Sequence, residues 1–347
     1  MEGFAFRACI PALNGEVLHA NPIKANMTSM NTTIIGAGSV GLAVAASLAL
    51  AGQRVILLTR GEAIAQLRES AIGVSGLHGE HTLPVGTIAI ENSSFPSHAA
   101  RDCDMLIITT KTFDIAAALA PFISATPTPR AVLSLHNGIG ASEAIREAFG
   151  PNIPVYASAM LIGLERLGLT NVAVKAASSP INTGPLLGDA IVPLETFIAA
   201  TQNGFLPFRV DPSMRETVLF KLLFNTCMNP TGALTGLTYG ELITHTSTRA
   251  LIERLAEETL AVLAVEYGYR PAQSGIAYAR ETLTSIVFPR SAGHRSSMLQ
   301  DILAGRRTEI DSLNGAIKRL GLKNNIATPT HDTLIDLIAA QSTLPKE

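Results

Sequence analysis

Residues 32–60 constrain the fold of this chain more than any other stretch. A β-branched apolar run, Thr32 to Ile35, passes straight into Gly36-Ala37-Gly38-Ser39-Val40-Gly41. A small-residue helical pattern follows, and after Gly52 a second apolar run extends from Val55 to Leu58. Strand, glycine turn, helix, turn and strand in that order predict the opening βαβ unit of a dinucleotide-binding fold. Each glycine has a physical role there: Gly36 permits the tight turn, Gly38 lets backbone N–H groups approach a pyrophosphate, and Gly41 lets helix pack on strand. The pyrophosphate is expected at the helix N-terminus, where unpaired N–H groups and the helix dipole favour an anion.

A membrane span is the competing explanation, because no charge occurs between Ala25 and Gln53. Three glycines clustered at one end and Gly52-Gln53 before a β-branched segment argue against it, as does the lack of a Lys/Arg cluster on one flank.

The end of the second strand selects the cofactor. NAD-binding versions place Asp or Glu there to hold the ribose 2′-hydroxyl. Here the strand ends Leu58-Thr59-Arg60, with no carboxylate before Glu62. A guanidinium can bind a 2′-phosphate through charge-assisted hydrogen bonds, so the expected cofactor is NADP and Arg60 its 2′-phosphate ligand.

A chain of 347 residues suggests two domains. A net charge of −2 with 16% charged residues points away from nucleic acid and anionic membrane surfaces. Cys9, Cys103 and Cys227 are far apart, with no metal-type spacing, which fits a reducing cytoplasm rather than a disulfide scaffold. Residues 1–30 show neither helical nor alternating periodicity. They carry Glu2 and Glu16, little Ser and few basic residues, so they read as an N-terminal extension and a poor match to a transit peptide.

Beyond Arg60 the alternation continues. A helix is expected over 61–70, a short hairpin within 72–93, a strand from Met105 to Thr110 leading to Lys111, and a helix from Asp114 to Ala120. A strand from Ala131 to Leu135 then leads into His136-Asn137-Gly138-Ile139-Gly140. Ligands of open α/β sheets bind beyond the carboxyl ends of the strands, so Lys111 and Asn137 are placed beside the cofactor. Further strands are expected near 155–161, 171–177 and 206–210. From Asp211 onward the pattern is helical. The expected division is an NADP-binding Rossmann-type domain over 31–210 and an all-helical substrate and catalytic domain over 211–347.

Residues 215–230 form an almost continuously apolar helical pattern interrupted by Lys221, Asn225 and Asn229, spaced i, i+4, i+8 on one face. A lysine in such a helix must snorkel, pair with a carboxylate or line a polar cavity. A structural ion pair with two satisfied asparagines explains the spacing equally well. Residues 295–315 begin with a Ser-Ser cap and read as one helix containing Asp301, Glu309, Asp311 and Asn314. Glu309 or Asp311 could supply a carboxylate to Lys221, although helix-surface charge is the commoner fate of such residues. Together with a cofactor domain, these groups suit carbonyl reduction, with Lys221 offering a proton or positive field to the developing alkoxide.

Read in order, GAGSVG at 36–41, TTK at 109–111, HNGIG at 136–140, KLLxNxxxNP at 221–230 and SSMLQDILAGRRTEID at 296–311 resemble the ketopantoate reductases (2-dehydropantoate 2-reductases). The resemblance runs from about residue 32 to 338. It implies a Rossmann domain, a helical domain like the C-terminal part of 6-phosphogluconate dehydrogenase, and NADPH-dependent reduction of ketopantoate to pantoate on the way to pantothenate and coenzyme A. It also implies Lys221 as general acid, Asn225 and Asn229 as substrate ligands, and Ser297 as holder of the substrate carboxylate. By the same resemblance Glu309 lies near the nicotinamide ribose and the lysine, and Lys111, Asn137 and Arg60 contact the cofactor. A homodimer is left open.

The chain departs from the family pattern at His294, where a polar amide is common, and at Thr328-Pro329-Thr330-His331; both changes are expected to affect the substrate pocket. Two other functions are therefore retained: reduction of a different 2-keto acid or oxidation of a hydroxy acid, and a non-enzymatic NADP sensor, which would have no need of a proton donor.

Arg60 yields the first test. NADPH should bind at least roughly tenfold more tightly than NADH, about 1.4 kcal/mol, and Arg60→Ala should remove most of that gap by weakening NADPH alone. Fluorescence titration with both dinucleotides checks this; equal affinities in the unmodified protein would remove the assignment.

Overall fold

A computed structural model describes residues 29–123, 125–186, 189–285 and 292–343. Apart from Ser29 and Met30, the N-terminal extension lies outside them. The apolar run after Met30 forms β1 (Asn31–Ile35), the glycine turn follows, and α1 (Ser39–Leu50) packs on the sheet with most of its residues buried. The turn works as the sequence demands. Gly36 has φ of 109°, and a Cβ on Gly41 would lie 1.8 Å from the Gly36 carbonyl oxygen, so no other residue brings α1 this close to β1. Among the described residues no helix is long and apolar enough to cross a membrane.

β2 (Arg54–Thr59) and β6 (Met105–Ile108) flank β1 in parallel register. The ten-stranded sheet runs, in spatial order, β4 (His81–Leu83), β3 (Ile72–Gly76), β9 (Asn171–Pro185), β8 (Val155–Arg166), β7 (Val132–Ser134), β6, β1, β2 and β5 (Ala89–Asn92), and β10 (Phe208–Val210) also pairs with β9. β7 (Val132–Ser134) and β8 (Val155–Arg166) extend it in parallel, and β9 (Asn171–Pro185) returns antiparallel to β8. The chain leaves β1 toward β2 on one side and comes back to β6 on the other. The crevice above β1 and β6 is thus the point where strand order reverses.

The hairpin expected within residues 72–93 occupies only their first half. β3 (Ile72–Gly76) and β4 (His81–Leu83) pair antiparallel and join the sheet beside β9, whereas β5 (Ala89–Asn92) crosses to the far edge and pairs parallel with β2. The Pro84–Thr87 turn releases the chain between them.

No strand follows β10 among the described residues. After α2 (Glu62–Glu69), α3 (His98–Arg101), α4 (Ile115–Leu119), α5 (Ala141–Phe149) and α6 (Val192–Thr201), α7 (Met214–Thr235) and, past α8 (Tyr239–Thr244), α9 (Thr246–Tyr267) pack with the helices Asn314–Lys323 and Pro329–Thr343 around a second core that includes Leu222, Leu223, Leu255, Leu263 and Ile317. Pro230 sits inside α7 and lacks an N–H, which leaves the carbonyl of Thr226 without its helical donor. Asn314 Nδ2 donates to that carbonyl at 3.0 Å and also lies 3.0 Å from His331 Nδ1, while His331 Nε2 is 3.0 Å from Thr259 Oγ1. His331 is fully buried in this network. It holds the helical core together and does not line a substrate pocket, contrary to the sequence expectation.

Residues 295–315 are likewise not one helix. The helix Ser297–Leu303 stops at Ala304-Gly305, with Gly305 at φ 68°, and a turn carries Glu309 and Asp311 before the next helix starts at Asn314.

Burial pushes the His331 imidazole from 6.5 down to about 4, and burial does the same to His136. Between those values the unfolded chain binds more protons than the folded one. The stability these residues contribute is complete above the unfolded value and is lost as pH falls through the folded value. The melting temperature should therefore fall steeply as pH drops from 6.5 to 4. His331→Gln should melt lower at neutral pH but with a shallower acid slope, since a titration worth on the order of a few kcal/mol is gone. An unchanged slope would assign the acid transition to other groups.

Candidate active site

The site grows from the switch point. Thr109, just after β6, donates its hydroxyl to the carbonyls of Ile35 and Gly36 at 3.0 and 2.9 Å and ties the β6 end to the glycine turn. Gly38 caps α1 without a side chain, and a Cβ there would meet no atom within 4 Å. The helix N-terminus therefore opens onto free space flanked by the backbone of Ala37, Ser39 and Val40, which suits a pyrophosphate. Arg60 follows β2 with its side chain 71% exposed, and its guanidinium pairs with Asp114 at 3.4 Å. So exposed a pair contributes little and leaves the guanidinium available to a phosphate. Asn137 lies partly exposed at the end of β7.

Lys111 reaches from the end of β6 into the helical half. Its Nζ lies 2.7 Å from Asp301 Oδ2 and 3.3 Å from Glu309 Oε2, and Thr112 donates to Glu309 Oε1 at 3.0 Å. Burial pulls Lys111 down, but Glu309 and Asp301 outweigh it and hold the ammonium above its ordinary value. Asp301 also accepts from Arg306 Nε at 2.9 Å and is nearly buried. On spacing alone Asp301 is one of several acidic residues of its segment. Its signal was positional: it falls three residues after Met298 on the apolar face of its helix, where an unpaired carboxylate is too costly to keep.

Lys221 stands on α7 and donates to the Met160 carbonyl at 2.7 Å. β8 slips register on β9 between Ala159 and Leu161, which takes Met160 out of the regular ladder and leaves its carbonyl to the lysine. Among the described residues no carboxylate pairs directly with Lys221, so the structural ion pair does not form. Burial lowers its pKa to about 8, with Glu309 opposing from a distance. Asp311 is not the partner; it is exposed and pairs with Arg307.

Asn225 and Asn229 follow Lys221 along the same face, both buried. No described residue hydrogen-bonds the Asn225 amide. Asn229 Oδ1 accepts from the Tyr239 hydroxyl at 3.1 Å, which leaves its Nδ2 free to donate. Ser296, not Ser297, caps the following helix: its hydroxyl accepts from Leu299 N and donates to the Asn229 carbonyl, both at 3.1 Å. Ser297, one residue on, is exposed at the first turn. His136, absent from the predicted site, is buried with Nδ1 2.8 Å from Ser134 Oγ and, among the described residues, no hydrogen-bond partner for Nε2.

A glycine-turn crevice at a sheet switch point, facing a buried lysine with two asparagines on a helix of the second half, defines a two-domain dinucleotide-dependent oxidoreductase class. Within that class, a family model described as ketopantoate reductase PanE/ApbA matches residues 32–188, and one described as ketopantoate reductase PanE/ApbA C terminal matches residues 213–342. The 2-dehydropantoate 2-reductase of Vibrio cholerae is 30% identical over 310 residues, 89% of this chain and 97% of its own. That of Aquifex aeolicus is 27% identical over 316 residues, 90% of this chain and 97% of its own. A solved ternary complex of D-mandelate dehydrogenase with NADH and anilino(oxo)acetate has a TM-score of 0.79 at 25% identity, covering 90% of this chain and 98% of that one. The PanE/ApbA family ketopantoate reductase of Ralstonia eutropha has a TM-score of 0.76 at 24% identity over the same shares, 90% and 98%. The chain belongs to the ketopantoate reductase family.

The two serines can be told apart. Ser296→Ala should lower stability by about 1–2 kcal/mol through loss of the cap and the buried bond, seen as a lower melting temperature. Ser297→Ala should leave the melt unchanged and raise KM for a 2-keto acid. A normal KM in that variant would remove Ser297 from substrate binding.

Proposed function

We propose that the protein is an enzyme that reduces 2-dehydropantoate (ketopantoate) to pantoate with NADPH, a step of pantothenate and coenzyme A biosynthesis. Family membership supports the reaction, and the buried Lys221 beside two asparagines is the observation that carries it. In this reading residues 31–210 bind the cofactor and 211–347 hold the substrate and the catalytic lysine. The resemblance to family motifs supports the roles of the individual site residues.

The bound cofactor supplies a hydride to the keto carbon. The chain's own residues do the rest. The first-turn N–H groups of α1 and the Arg60 guanidinium bind its phosphates, while Lys111 and Asn137 position it above the strand ends. Ser297, with Asn225 and Asn229, orients the 2-keto acid through its carboxylate, so that the keto oxygen meets Lys221. Burial leaves the Lys221 ammonium only weakly held, which favours proton transfer to the developing alkoxide. Glu309 keeps that ammonium charged from a distance and is itself anchored by Lys111 and Thr112. A sensor would gain nothing from a lysine so tuned. A homodimer is proposed as the assembly, to be checked by light scattering; a ketopantoate reductase of Staphylococcus aureus is described as dimeric.

Lys221→Ala should cut kcat by roughly a hundredfold or more while NADPH affinity changes little. In the unmodified enzyme kcat should fall as pH rises through about 8, where Lys221 loses its proton. NADPH oxidation followed by absorbance with ketopantoate and other 2-keto acids measures both. Near-normal turnover in a folded Lys221→Ala protein would return the lysine to a structural role.

A further inference from the structure

The carboxyl edge of the sheet continues past Arg60. β5 lies parallel to β2 with Asn92 opposite Thr59, and Ser93 N donates to the Thr59 carbonyl at 2.8 Å. On the other side of β2, Gly36 N donates to the Leu58 carbonyl at 2.9 Å. The glycine turn, Arg60 and the Ser93-Ser94-Phe95 turn therefore follow one another along one crest. Phe95 stands two residues past Ser93, within about 7 Å of it by chain length. At 81% exposure it is the most exposed large apolar side chain among the described residues.

A single exposed apolar side chain is ordinary on a protein surface, but this one is braced. Phe95 N donates to the Asn92 carbonyl at 3.1 Å and Ser94 N to Asn92 Oδ1 at 2.9 Å. Beyond the ring, Pro96 fixes its own φ, and Ser97 donates from N and Oγ to the Glu91 carboxylate, both at 2.9 Å. The turn holds out a ring that neither core of this half uses.

The turn also lies on the same face of the sheet as the start of α4. One core cluster takes Leu58 of β2, Ala100 of α3 and Ile115 and Leu119 of α4. The chain leaving Phe95 for α3 thus crosses the face that α4 covers. Arg60 leans toward that face as well, through its pair with Asp114 just before α4. Arg60, Asp114 and the Phe95 turn stand around the end of β2.

In NADPH the adenine ring is carried on the ribose carbon next to the one that bears the 2′-phosphate, so a phosphate held by Arg60 brings the base beside it. From this placement we infer that Phe95 is the platform for the adenine ring of the dinucleotide, a subsite separate from the 2′-phosphate contact. The inference rests on the reading of the glycine turn and Arg60 as the NADP site. A neutral purine suits this turn. Its face stacks on an aromatic ring without needing a hydrogen-bond pattern, and the carboxylate of Glu91 is already taken up by Ser97. NADPH and NADH share the adenine, so Phe95 strengthens both equally, whereas Arg60 tells them apart.

Phe95→Ala should raise Kd for NADPH, NADH and adenosine 2′,5′-bisphosphate by about tenfold each. The ratio of NADPH to NADH affinity and the melting temperature should both stay as they were, and Phe95→Tyr should keep the original affinities. Titration calorimetry measures all three ligands. The chain has no tryptophan, so Phe95→Trp supplies one indole whose emission reports on the subsite. Adenosine 2′,5′-bisphosphate should quench it, and reduced nicotinamide mononucleotide, which lacks the adenosine half, should not. Unchanged Kd values in Phe95→Ala, or an emission that the bisphosphate leaves unmoved, overturn the adenine platform and leave the cofactor reading standing. A lowered melting temperature alongside the affinity loss also overturns it, because Phe95 then supports the turn and not the ligand. An unmodified protein that binds neither dinucleotide fails the cofactor reading itself, and the inference with it.

Discussion

Helix α7 cannot satisfy its own polar groups, and much of the site follows from that. It is apolar over most of its surface and buried, yet it carries Lys221, Asn225, Asn229 and a proline that strips the Thr226 carbonyl of its donor. Buried polar groups left unpaired cost on the order of 1–3 kcal/mol each, so partners must come from elsewhere in the chain. They come from the β8 bulge through Met160, from Ser296, from Tyr239 and from Asn314. Each partner draws its own segment onto α7. One helix thereby gathers residues from across the sequence, with Met160, Ser296 and Tyr239 bonded to Lys221 and Asn229, and Asn314 bonded in the helical core.

Electrostatics complete what packing begins. Two lysines approach from opposite halves of the molecule, and Glu309 stands between their fields. Lys111 is held charged by direct contact with Asp301 and Glu309, while Lys221 has only a carbonyl at bonding distance and the more distant field of Glu309. The same residue type thus takes two roles. A firmly charged lysine binds and positions; a desolvated lysine whose pKa has come down to about 8 is poised to give up its proton. The difference lies in how many carboxylates each can reach.

The glycine turn, the parallel strands and the helical second half were legible in the chain because each is a local pattern. Gly36 and Gly41 state their own constraint, and β1, β2, β6 and β7 read as short apolar runs. The spacing of Lys221, Asn225 and Asn229 in the K-L-L, N and N-P run marks one face of α7 by itself. The path of residues 72–93 was not legible, since strand pairing is chosen by partners distant in sequence and two short strands carry no mark of which edge they join. Nor was the break after Leu303: the helical spacing continues past it, and only Gly305 in the left-handed region, followed by burial of Ile310 and Leu313, turns the chain.

Side-chain partners divide along the same line. The sequence by itself determined which residue types stand beside the crevice and on the α7 face, because strand ends and helix periodicity place them. Only the tertiary structure decided what each one meets. It assigned the cap to Ser296 rather than Ser297, gave Asp301 to Lys111 rather than to solvent, set Asp311 on the surface with Arg307, and placed His331 in the core against Asn314 and Thr259. The Asp301 and His331 outcomes join segments 17 to 190 residues apart, and the other two depend on where the Ser297–Leu303 helix begins and ends. Periodicity fixes a side chain's face on its own element, but the neighbour on the facing element is fixed by how the two elements pack.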